Sequence, residues 1–110
     1  MNDAYHNELW RAHVALESRT FSVCFAHLER AHVLSQRMTA RHFYVHWLMF
    51  VAGLHQRDVR EVIGQLPRML ASLLFSRIWV PAGNTGRARV SAFRPMPIPD
   101  DLRRLMSPAD

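Results

Sequence analysis

A chain of 110 residues with a formal net charge of +5 has room for one domain and a modest single core, not for two. Its hydrophobic share of 49% and charged share of 21% are those of a folding globular protein and exclude a disordered one. The single cysteine, Cys24, excludes an internal disulfide framework and a four-thiolate zinc site.

No stretch has the basic start, apolar run and small-residue cleavage pattern of a signal peptide, and none reaches the ~18 uninterrupted apolar residues of a membrane span. A cytoplasmic protein without membrane association is expected. All fourteen basic residues are arginine. They are spread along the chain, only Arg103 and Arg104 are adjacent, and no recognition-helix motif accompanies them, so nucleic acid is not the expected partner.

In chain order, Asn2 and Asp3 are candidate caps for a first helix, whose apolar stripe is Tyr5, Leu9, Ala12 and Leu16 and which ends near Ser18. Thr20 is placed to cap a second, with the stripe Phe21, Cys24, Phe25, Leu28, Ala31 and Ser35. His32 falls inside that stripe, and a buried imidazole there needs partners for both nitrogens. Glu29 lies three residues earlier on the same side, while His27 sits on the opposite edge. Residues 36–38 connect to a third helix, capped by Thr39 and running from Ala40 to Gln56. It is apolar nearly all round and therefore the expected central helix. His42, His46, Met49 and Gly53 form one of its stripes.

Asp58 is placed to cap a fourth helix with the cleanest amphipathic pattern in the chain, Val59, Val62, Ile63, Leu66, Met69, Leu70 and Leu73. Pro67 interrupts it and predicts a kink near Ile63 to Leu66 or a break into two helices. Beyond Ile78 the pattern changes. Gly83, Asn84, Thr85 and Gly86 mark a tight turn, and Pro95, Pro97 and Pro99 disfavour helix. An extended tail over 79–99 is expected to lie across the bundle, with a hairpin about Asn84 as one form, before a short last helix over 100–107. The reading is an all-α, single-domain protein: a four-helix antiparallel bundle over 1–78 with the tail and last helix packed on it.

Helices one and two, with the run FSVCFAHLERAHVLSQ, resemble a tetratricopeptide-repeat unit, and helices three and four resemble a second, diverged one. The resemblance implies two helical hairpins. A more specific resemblance is carried by HLERAH (27–32), VHWLM (45–49), GQLPR (64–68), VPAGNTG (80–86) and PMPIPDDL (95–102). These runs look like the landmarks of a small bacterial family known as domain of unknown function 3703. That likeness implies the fold and the domain limits, and assigns no activity or functional residue.

The chemistry available is concentrated between Ala26 and Met49, which hold four of the seven histidines. Glu29 and His32 form a Glu-x-x-His pair, the spacing that presents two metal ligands from one bundle helix. His42 and His46 stand at i and i+4, one face of the next helix. A mononuclear site drawn from His27, Glu29, His32, His42 and His46 would suit zinc, iron, nickel or copper. It requires His32 and His46 to point into one shared space, and His27, on the wrong edge, is the weakest member. The other reading is a tetratricopeptide-like interaction module in which the histidines are buried hydrogen-bonding struts and the partner is another protein or, as a homodimer, a second copy. No nucleophile elbow or phosphate loop is present, and Cys24 lies on a core stripe.

Overall fold

The structure, a computed structural model, describes the backbone of residues 2–106 and the side chains of 3–106. A cap by Asn2 and a last helix reaching residue 107 lie outside the described residues. Five helices follow in order: α1 (Asn2–Glu17), α2 (Phe21–Ser35), α3 (Thr39–Gln56), α4 (Val59–Phe75) and α5 (Asp100–Met106). Each of the first three packs on the next as an antiparallel neighbour, α1 on α2, α2 on α3 and α3 on α4, and α5 returns to α2.

The stops between helices follow from local chemistry. Arg19 and Arg57 take left-handed backbone (φ 58° and 62°) and end α1 and α3 in tight connections. Asp58 caps α4 as expected, its Oδ1 accepting from the Glu61 N–H at 3.1 Å. Thr20 holds the N-cap position of α2 without a side-chain cap bond, and Met38 rather than Thr39 holds that position at α3. No break occurs at Pro67: α4 runs through it as one helix. Among the described residues there is no strand, so the expected hairpin about Asn84 is instead a series of turns.

The apolar core lies between α1, α2 and α3, where Tyr5, Leu9, Cys24, Phe25, Leu28, Val45, Leu48 and Met49 are buried together. Leu102 of α5 belongs to the same cluster and is 1% exposed. Arg30 ties these elements at the surface, donating from Nε to Glu8 at 2.9 Å and from Nη2 to Asp101. One amide holds the start of the tail at both its ends. Gln36 donates to Pro81 O at 3.0 Å and accepts from Gly83 N–H at 3.0 Å.

α4 departs from its sequence pattern. Most of the stripe that reads as its core face points outward, with Ile63 61%, Leu66 51%, Leu70 58% and Leu73 52% exposed, while its Met69 is buried as expected. The face against α3 carries Glu61, Gln65, Met69 and Ser72, all buried. A polar helix face is buried only if its groups find partners, and those partners are the substance of the site below.

Replacing Leu102 with alanine is expected to destabilise the fold by about 2–4 kcal/mol, the cost of a core leucine truncation. Leu105→Ala, at a half-exposed neighbour, should cost less than about 1 kcal/mol. Urea unfolding of the two variants distinguishes an integral α5 from a loosely laid one.

Candidate metal centre

His32 lies in the second half of α2, and His42 and His46 lie one turn apart in the first half of α3. Their spacing puts the α3 pair on one face, and the packing of α2 on α3 brings His32 over it. All three are buried. The Nε2 atoms converge on a triangle with edges of 3.0 Å (His42 to His32), 3.1 Å (His32 to His46) and 3.1 Å (His46 to His42). His32 and His46 do point into one shared space.

Each ring is held by its outer nitrogen, and those outer bonds fix where the protons are. Nδ1 of His32 is 2.7 Å from the carbonyl oxygen of Asn84, which only accepts, so Nδ1 carries the hydrogen. Nδ1 of His46 is 2.6 Å from Gln65 Oε1, and Gln65 donates from its Nε2 to Glu61 (2.5 Å) and to Gly86 O (2.9 Å). Nδ1 of His42 is 2.9 Å from Ser76 Oγ, whose own hydrogen is committed to Ser72 O. Each neutral imidazole has one N–H. With all three hydrogens on Nδ1, the three Nε2 atoms face one another as bare lone pairs, with no hydrogen to share.

Three buried acceptors at that separation repel, and a cation among them removes the repulsion. An ion would be held by Nε2 of His32, His42 and His46, and three imidazole ligands would leave a position for a further ligand. A cavity of about 440 Å³ borders all three rings.

Glu29 and His27 are not brought to this point. Glu29 accepts from Arg87 Nη1 at 3.0 Å; burial raises its carboxyl above the ordinary value, and Arg87 opposes the shift. Arg87 in turn donates from Nε to Glu61 at 2.8 Å and lies over the Phe25 ring. Glu61, fully buried, accepts also from Ala88 N–H and from Gln65. Glu29 therefore stands at the far end of a chain running through Arg87, Glu61 and Gln65 to His46. His27 faces α1, 3.3 Å from Glu8. Cys24 is a core residue as expected, and burial pushes its thiol up to about 11.

The outer partners Asn84, Gln65 and Ser76 escape sequence reasoning. One signal for them was present: Glu61, Gln65, Ser72 and Ser76 fall with Met69 at helical spacing, a largely polar stripe. Gly86 is the fourth hidden part. It holds φ +84°, and a Cβ there would stand 2.6 Å from Cδ2 of His32, so only glycine lets this loop close over the ring.

A family described as "Protein of unknown function (DUF3703)" matches residues 1–106. The chain belongs to that family. No curated protein and no solved structure matches it.

In this DUF3703 member the three rings are held neutral. Burial pushes His42 down to about 4 and His46 down to about 3, and burial with the neighbouring His46 and His42 pushes His32 far down as well. A histidine whose folded pKa is depressed adds no penalty above the unfolded value of ~6.5. Below it the unfolded chain takes up protons first, so stability falls as pH drops towards the folded values. The thermal midpoint is expected to be flat from pH 7 to 8 and to fall steadily from pH 6.5 to 4. His46→Gln should make that fall shallower in calorimetry across the same range.

Proposed function

We propose that this protein binds a single transition-metal ion through Nε2 of His32, His42 and His46. One observation carries the reading: three outer acceptors hold the three N–H groups away from the centre, so the lone pairs converge unprotonated. A hydrogen-bonding strut would alternate donors and acceptors, and this cluster does not. Each ligand comes with its orienting partner, the arrangement that metal-bound histidines ordinarily show. Among the described residues these three form the group of histidine, cysteine and acidic side chains spaced to share an ion. Three imidazoles without thiolate suit zinc, iron, nickel or copper. Glu29 and His27 are left out of the ligand set because Arg87 and Glu8 occupy them.

Protein purified without a histidine tag is expected to carry or take up about one equivalent of zinc per chain, with a raised thermal midpoint. His32→Ala combined with His46→Ala should abolish both effects. Elemental analysis below a tenth of an equivalent, with no thermal shift on adding zinc, nickel, copper or iron, overturns the reading.

The notion of an interaction module is favoured by a different observation, the outward stripe of α4. Val59, Ile63, Leu66, Leu70 and Leu73 are spaced 4, 3, 4 and 3, the seam of a coiled coil, and all are at least half exposed. We propose a second copy as the occupant, with α4 paired on its twofold mate. A stable interface buries upwards of about 1,200 Å² in total, so the paired helices would also have to cover residues flanking this stripe. Sedimentation at tens of micromolar should give a mass near twice 12.8 kDa, and Leu66→Glu with Leu70→Glu should return the monomer. A monomeric unmutated protein sinks this proposal and leaves the metal centre standing.

A further inference from the structure

The cavity beside the three histidines has a chemistry of its own. Its walls are largely apolar and aromatic, with Phe75, Trp79, Val80, Pro81 and Phe93 among them. Among the described residues no carboxylate lines it. Arg68 does. Its Nη1 donates to Gly64 O at 2.9 Å and its Nη2 to Val90 O at 2.7 Å, both carbonyls of zero net charge, and its Nε is buried without a partner. The nearest acidic group acting on it, Glu61, is committed to Arg87 and the Ala88 N–H. Among the described residues no carboxylate is in contact with the guanidinium, so it brings to the cavity wall a positive charge that an anion in the cavity would meet directly. It acts on the same rings: its charge is one of the causes depressing His32 and His46.

We infer that the cavity receives a small organic carboxylate with an aromatic or aliphatic body. The carboxylate lies between the open position of the three-histidine centre and Arg68, and the apolar body lies against Phe75, Trp79 and Phe93. This inference rests on the metal reading, because the ion supplies the second positive group. An inorganic anion would satisfy the charges and leave the apolar walls unused. A neutral apolar molecule would do the reverse. Planar guanidinium and carboxylate match in shape as well as charge, which favours a carboxylate over a spherical ion.

The experiment uses the full chain loaded with cobalt(II), whose visible absorption reports the ligands around it, titrated with benzoate, acetate and benzyl alcohol. Benzoate is expected to change the spectrum saturably, acetate to do so at least about tenfold more weakly, and benzyl alcohol not at all. Arg68→Met, read at matched cobalt occupancy, should weaken benzoate at least about tenfold. The comparison of the three compounds on the unmutated protein needs no variant and stands even if Arg68→Met fails to fold. With cobalt bound at full occupancy, benzoate no tighter than acetate, or an unchanged spectrum, overturns the carboxylate proposal alone. Failure to load cobalt overturns the metal reading and this one with it.

Discussion

The architecture turns on the three hydrogen bonds that draw the Nδ1 hydrogens of His32, His42 and His46 outward. Without them each ring would be free to choose its tautomer, and a buried cluster would settle by passing one hydrogen from ring to ring. The carbonyl of Asn84, the amide of Gln65 and the hydroxyl of Ser76 remove that freedom. They come from two different parts of the chain, α4 with the turn after it and the tail, so much of the second half of the molecule is arranged around a point built by the first half. The inward-facing polar stripe of α4, its outward leucines and the glycine at Gly86 all follow from that demand.

The helices and their order were readable because each has a strong period and local punctuation. Asp58 and the acidic start at Asp100 mark helix beginnings by chemistry that acts within one turn. Periodicity put His32 and His46 on apolar stripes, but their convergence entered only as a condition of the metal reading. What sequence could not supply was the direction in which α4 faces. Hydropathy assigns its leucines to the core, and it does so because the rule assumes that the most apolar face is the buried one. Here Glu61 and Gln65 win the interior because Arg87, Ala88, Gly86 and His46 satisfy them. Those partners lie 19 to 27 residues away, a distance over which periodicity carries no information. Glu29 was misplaced by the same limit: the helical spacing to His32 is real, but Arg87, 58 residues on, takes the carboxylate.

The two halves of the protein also differ in what holds them. α1, α2 and α3 share a conventional apolar core, and hydrophobic burial suffices to explain their packing. The seam between α3, α4 and the tail is held by directed polar contacts, each strong only while its geometry is kept. Such a seam is less tolerant of substitution than an oily one, because removing one partner strands another in the interior. It is also more specific in its register.

The bond from His32 to Asn84 spans 52 residues. Asn84 is itself fixed by donating to Ser91 O and Arg94 O and by accepting from Gly86 N–H. The coil that precedes α5 is thus wired directly to a ring at the heart of α2. Closing so long a loop carries an entropic cost that local helix formation does not, and the contacts of the docked tail must offset it. A chain whose tail has not docked has the three histidines but lacks the Asn84 carbonyl that orients His32.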